Sequence, residues 1–385
     1  MRSVYFDNAA TTAPRSEVVD AMHSVLSHHY GNPSSTHTFG RSSRALIEGA
    51  RKEIAKTLSC KPAEIIFTSG GTEADNCIIR SAVRDLGVKR IITSRIEHHA
   101  VLHAVESMAD EYQVHIEYVS LDAHGFVDYI DLETLLAASP STSKTLVSLM
   151  HVNNEVGNLL DLHRVGALCA AYGAYFHSDT VQSIGHYTLN LTEIPVHFLA
   201  AAAHKFHGPK GIGFMFVRSN CRLKSLIVGG AQERGLRAGT ESIHDIVGLE
   251  TAFKLSYVNL EQEQRYIQSL KELFIRSIQE HIPSAQFNGA SSDLNHSTYT
   301  LVNLRLPVTG DRATMLLFHL DLHGIACSQG SACQSGSNKG SHVLDAILPD
   351  DQKWMPSLRF SFSIYNTTEE VMYAVKVLAD FVDQS

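Results

Sequence analysis

The 385-residue chain has no apolar run approaching the roughly 18 residues of a membrane span, and its start, Met1-Arg2-Ser3-Val4-Tyr5-Phe6-Asp7, holds no apolar signal core. No membrane partner is expected. Six cysteines, at 60, 77, 169, 221, 327 and 333, never stand as a Cys-x-x-Cys pair. That spacing argues against a zinc site or a disulfide framework, and no metal is expected. A reducing cytoplasm is the simplest location. Positive charge is not in excess: 32 Lys and Arg face 40 Asp and Glu, for a formal net charge of −8. This balance disfavours non-specific nucleic-acid binding, so no such partner is expected. Internal repeats and low-complexity linkers are also missing.

What is present is an ordinary globular mixture, 44% hydrophobic and 19% charged. The length suits two domains better than one small core. Glu64-Ile65-Ile66-Phe67-Thr68 reads as a short buried strand, followed by a Ser69-Gly70-Gly71 turn and a helix. Arg90–Ser94, Thr145–Met150 and Ala174–His177 read as further buried strands, with helical spacing between them. That alternation predicts an α/β domain with a mostly parallel sheet. After about residue 255 the character changes. A polar helical stretch, Glu261 to His281, leads to strand candidates Thr298–Leu304 and Ser357–Ser363. We expect a large domain over 15–255, a smaller α+β domain over 256–385, and an N-terminal segment 1–14 joining them.

Chemistry collects where strands end, which is where open α/β sheets bind ligands. Lys205 follows the small residues Ala200-Ala201-Ala202-Ala203 and His204, and precedes the glycine-rich turn Gly208-Pro209-Lys210-Gly211. A lysine beside other cations can lose its proton and form a Schiff base. Lys210 is its rival. Asp179, in Asp179-Thr180-Val181-Gln182, can hold a ring nitrogen or cap a helix. Ser69-Gly70-Gly71-Thr72 reads as a strand–turn–helix junction whose free N–H groups would bind an anion, with Thr72 and Asp75 as a capping box. In Ser357-Leu358-Arg359-Phe360-Ser361-Phe362-Ser363 apolar and polar residues alternate, which turns Arg359 away from the core formed by Leu358, Phe360 and Phe362. A guanidinium facing a cleft is the natural partner of an amino-acid carboxylate. Gly330-Ser331-Ala332-Cys333 puts a thiol in a stretch rich in small and polar residues, which reads as a loop, whereas Cys327 ends an apolar stretch and should pack. A Schiff-base lysine, a ring-holding aspartate and an available thiol are parts of a pyridoxal-phosphate enzyme acting on a sulfur substrate.

These segments, with Tyr5-Phe6-Asp7-Asn8-Ala9-Ala10, Gly31-Asn32-Pro33-Ser34-Ser35, Glu97-His98, His151-Val152-Asn153-Asn154-Glu155 and Arg237-Ala238-Gly239-Thr240-Glu241, run in an order that resembles the cysteine desulfurases nearly end to end. These are class V members of the fold-type-I pyridoxal-phosphate enzymes. The resemblance implies that Lys205 carries pyridoxal 5'-phosphate and that Asp179 and Gln182 hold its ring nitrogen and ring oxygen. His98 is implied as the stacking histidine and acid/base. Gly71, Thr72, His204 and, from a second subunit, Thr240 are implied as phosphate contacts. Asn154 is implied to touch both the cofactor oxygen and the substrate carboxylate, alongside Arg359. An obligate homodimer follows from the borrowed Thr240. The implied reaction takes L-cysteine to L-alanine: Lys205 or His98 moves the α-proton, and Cys333 takes the sulfur as a persulfide. The sulfur then passes to an acceptor such as an iron–sulfur scaffold protein, or serves tRNA thiolation. A class V aminotransferase would need no Cys333; a selenocysteine lyase would share the same site. One position departs from the pattern. Many relatives carry serine three residues before the lysine, where this chain has Ala202.

Overall fold

The structure is a computed structural model describing residues 3–138, 143–329 and 340–383. Its centre is a seven-stranded sheet. The strands run across it in the order Ile65–Thr68, Gly213–Val217, Phe198–Ala202, Tyr175–Asp179, Lys144–Ser148, Val88–Thr93, His115–Tyr118. Only Gly213–Val217 is reversed, pairing antiparallel with both neighbours. The remaining pairings are parallel.

The sequence dictates this sheet through strands that are apolar on both faces. Side chains alternate across a strand, so a continuous apolar run needs a core on each side. Ile65 and Phe67 pack on one face with Ile54, Phe176 and Phe253. Ile66, between them, packs on the other with Ile78, Val105 and Phe198. Leu199 and Ala201 divide from Phe198 and Ala200 in the same way. The strands expected at 64–68, 90–94, 145–150 and 174–177 are found within two residues of those bounds.

A second core forms around a three-stranded antiparallel sheet, with Leu301–Arg305 between Gln286–Phe287 and Ser357–Ser361. The expected strand at Thr298–Leu304 therefore starts three residues late. Thr298 spends its N–H on Gly157 O at 2.7 Å, a contact with the larger layer that takes it out of the ladder. Leu260–His281 is a helix, and its Phe274 ring lies 4.9 Å from Phe360. Leu358, Phe360 and Phe362 all enter this core. The N-terminal strand Val4–Tyr5 pairs with Ile325–Ala326, and Phe6 packs 5.4 Å from Phe362. From there the chain runs to the rim of the large sheet, where Thr12 N–H donates to His204 O at 2.9 Å. No helix among the described residues is long and apolar enough to cross a membrane.

Candidate active site

Because Ile65–Thr68, Val88–Thr93, Lys144–Ser148, Tyr175–Asp179 and Phe198–Ala202 all run the same way, their carboxyl ends share one rim of the sheet. That alignment carries residues far apart in sequence to one place. Lys205 ends a short 3-10 turn, Ala203–Lys205, directly after its strand. Its Nζ donates to Ala9 O at 2.6 Å and Ala10 O at 2.8 Å. Gln182 Nε2 donates to the same Ala9 oxygen at 2.9 Å. The N-terminal segment therefore forms one wall of the site.

Asp179 is the last residue of the neighbouring strand, in register with Ala200. It is no helix cap. Its Oδ1 accepts the Val181 N–H at 2.8 Å within a turn. Burial pushes its carboxyl up to about 6, against the Val181 N–H and the Lys205 ammonium, which both pull it down. His98 caps the helix His99–Tyr112, with Nδ1 accepting from Ala100 N–H at 3.1 Å. That bond assigns the remaining ring proton to Nε2. Burial and then the Lys205 charge push the His98 imidazole down to about 4, so it is neutral near pH 7. His204 is likewise held near 4 by burial and Lys205, and its Nδ1 lies 3.2 Å from Thr11 Oγ1.

The anion-binding turn differs from the sequence expectation in one respect. The helix begins at Gly71, with Gly70 as its N-cap, so Thr72 is inside the helix and the Thr72–Asp75 capping box does not form. Gly70 sits at φ 150°, a backbone angle that only glycine adopts at little cost. Glu73 does the capping work, accepting Ser69 N–H at 2.8 Å while Arg237 holds its other oxygen at 2.9 Å. Asp75 is buried and faces His177 Nε2 at 3.3 Å. Burial drives the Asp75 carboxyl well up and the His177 imidazole down to about 3. A close approach fixes Gly71 as well: a Cβ there would lie 2.6 Å from Val181 Cγ2 and 3.8 Å from Ala202 Cβ.

Arg359 faces away from its core as the alternation requires, yet it is 2% exposed rather than solvated. Nη2 pairs with Asp7 Oδ1 at 2.9 Å, Nη1 donates to Asn154 O at 2.8 Å, and Nε has no hydrogen-bond partner among the described residues. Asn154 Oδ1 is buried and finds no partner among the described residues. Cys327 packs against the small core, and burial raises its thiol pKa far above the ordinary value. Cys333 lies outside the described residues. Thr240 is exposed and hydrogen-bonds to none of the residues above.

Asp7, the Ala9 and Ala10 carbonyls and buried Glu97 escaped the sequence reading as site components. Backbone carbonyls leave no trace in residue type. Asp7 and Glu97 stood inside segments that were singled out, but neither pattern reveals which side chain the carboxylate meets.

With this geometry in hand, the comparisons with known proteins are direct. The model of the aminotransferase class-V family matches residues 4–373. A cysteine desulfurase IscS of Dictyoglomus turgidum is 39% identical, with the alignment covering 100% of this chain and 95% of that one. A putative cysteine desulfurase IscS 1 of Bacillus subtilis is 39% identical over 99% of both chains. Among solved structures, a NifS-like protein superposes with a TM-score of 0.90 at 31% identity, covering 100% of both chains. SspA in complex with cysteine superposes at 0.79 with 29% identity, covering 95% of this chain and 100% of that one.

Proposed function

The chain belongs to the class-V aminotransferase family, and from that footing we propose that it is a cysteine desulfurase, converting L-cysteine to L-alanine and passing the sulfur on as a persulfide. One observation carries the reading. Lys205 follows the end of one strand and Asp179 ends the neighbouring strand in register with Ala200, and Lys205 Nζ and Gln182 Nε2 both donate to the Ala9 oxygen at the same rim. That is the arrangement needed around a lysine that holds a carbonyl cofactor.

The residues present fit pyridoxal phosphate. Asp179 offers a buried carboxylate with one oxygen engaged by Val181, and a protonated ring nitrogen opposite would satisfy the other. The N–H groups at Gly71 and Thr72 begin a 16-residue helix and suit a phosphate. Among the described residues, no donor meets the buried Asn154 Oδ1. When bound, the cofactor supplies an electron sink for charge left at the substrate α-carbon. Every other task falls to the chain. Arg359, already aligned by Asp7 and Asn154, binds the substrate carboxylate. Neutral His98, with its proton on Nε2, would face the bound cofactor and could move a proton, and the Lys205 amine would remove the substrate α-proton. Gln182 and His204 would hold the cofactor's ring oxygen and phosphate. Cys333 thiolate attacks the substrate sulfur; the C–S bond breaks, an S–S bond forms, and the carbon is protonated to alanine. Atoms and electrons balance without an external oxidant. The sulfur then goes to an acceptor protein, such as an iron–sulfur scaffold. Thr240, exposed here, reaches the phosphate of a second subunit in a homodimer.

The test is whether the purified protein is yellow and releases alanine from L-cysteine one for one with sulfide under a thiol reductant. Mass spectrometry of the substrate-treated protein should place one added sulfur on the peptide containing Cys333. Sulfur on Cys327, or alanine formation that survives Cys333→Ala, would overturn the assignment. Loss of colour in Lys210→Ala but not in Lys205→Ala would overturn the lysine.

A further inference from the structure

The segment that ends in Thr240 is held by an unusual anchor. Glu233 is 4% exposed and Arg51 is 2% exposed. Arg51 Nη2 meets Glu233 Oε1 at 2.8 Å and Nη1 meets Oε2 at 2.9 Å, a two-pronged pair. Phe67 N–H donates to the same Oε2 at 2.8 Å. The guanidinium also lies over the Phe67 ring, 4.8 Å from its centroid. Glu233 is thus fastened both to the helix Thr38–Thr57 and to the edge strand Ile65–Thr68.

The backbone at this anchor is strained. Glu233, Arg234 and Gly235 are consecutive left-handed residues, with φ of 45°, 59° and 79°. Two of the three carry side chains that disfavour this region, so the surroundings must impose the conformation. The strain has a readable consequence. It turns the chain so that Gln232 Oε1 accepts the Gly239 N–H at 3.2 Å, one residue before Thr240. Ala238 N–H is fixed in turn to Ile227 O at 3.1 Å. Arg237 reaches back to Glu73 at the chain's own anion-binding turn.

We propose that the Arg51–Glu233 pair is a positioning device acting across the dimer: it sets the segment from Gln232 to Gly239 so that Thr240 is presented to the cofactor phosphate of the other subunit. The inference rests on the shared-site dimer proposed above. It assigns a buried ion pair to the integrity of the neighbouring site. A pair serving only its own fold would act within its own chain, and the two cases separate cleanly.

Differently tagged chains are co-expressed with cofactor, and mixed dimers are isolated as holoenzyme. One chain carries Lys205→Ala and the other Glu233→Gln. The single remaining Lys205 is then served across the interface by the intact Glu233 of the Lys205→Ala chain. The readouts are retention of the visible pyridoxal-phosphate absorbance through dialysis and alanine formation per Lys205. The Glu233→Gln homodimer should lose cofactor at least about tenfold faster than the unmodified protein, the scale of one charge-assisted contact. The mixed dimer should return to unmodified retention. Retention as poor as in the Glu233→Gln homodimer, or no loosening in that homodimer, overturns the proposal. Gln232→Ala cuts the contact to Gly239 through which the anchor would act, and leaves the Arg51–Glu233 pair whole. It should show the same pattern, and it decides the matter if Glu233→Gln does not fold. A Thr240→Ala chain paired with Lys205→Ala tests the shared site alone. Failure of that dimer to recover refutes the shared-site reading and the inference with it; recovery there without recovery for Glu233 refutes the inference only.

Discussion

Ala202→Ser should tighten cofactor binding, and the structure says why. Ala200 and Ala202 lie two apart on one strand and share a face. Ala200 packs in the cluster that contains Ala74 of the helix Gly71–Leu86. Ala202 is therefore turned toward the first turn of that helix, and its Cβ is 3.8 Å from where a Gly71 Cβ would stand. A serine hydroxyl here would join the ring of donors around Gly70, Gly71 and Thr72. A hydrogen bond to a charged group contributes about 1.5–3 kcal/mol. At about 1.4 kcal/mol per tenfold, the gain is about 10- to 100-fold in pyridoxal-phosphate affinity. Without the phosphate the same hydroxyl is buried at a site 2% exposed and lacks a strong acceptor, so the apo-protein should gain nothing. Titration of apo-protein with pyridoxal phosphate reads the affinity, and thermal unfolding of apo and holo forms reads the contrast. Equal or weaker affinity in the serine variant would refute the reasoning: the phosphate would then already have all the donors it can use.

Arg359→Lys should raise KM for cysteine by about 10- to 100-fold with a smaller change in kcat, because an ammonium cannot reproduce the two-pronged grip on a carboxylate; an unchanged KM in steady-state assays would remove Arg359 from the substrate site. Acid should unfold the protein steeply: burial holds the imidazoles of His98, His151, His197, His204 and His207 at about 4, below their ordinary 6.5. The unfolded chain binds those protons first, so stability is full above 6.5 and falls as pH drops toward 4, and urea unfolding across that window should show it where a flat profile would contradict it. Lys271, fully buried against Ser297 Oγ and Thr298 O, is pushed down to about 7 by burial. Here too the unfolded state holds the proton more tightly, so stability should rise from pH 7 toward 10.5, and Lys271→Met should flatten that rise in urea titrations, whereas an unaltered slope would show that Lys271 does not cause it.

The sequence by itself determined the sheet and the rim. Runs such as Ile65-Ile66-Phe67 and Phe198-Leu199-Ala200-Ala201 have no polar face, so they read as strands covered on both faces, and parallel strands so covered place their following loops together. That is why Lys205 and Asp179 could be read from the sequence as candidates for one rim, while His98 and Asn154 joined them only through the family resemblance. The alternation around Arg359 likewise fixed which way it faces. Tertiary structure decided the partners. Asp7 meets Arg359 from 352 residues away, Ala9 and Ala10 offer backbone oxygens to Lys205, and Glu73 rather than Thr72 caps the phosphate turn. Periodicity reports the direction of a side chain but not what stands opposite it. The ionisation states were out of reach for the same reason. A histidine is neutral at 98 and at 204 because burial and a nearby lysine make it so, and both depend on three-dimensional neighbours that no local pattern encodes.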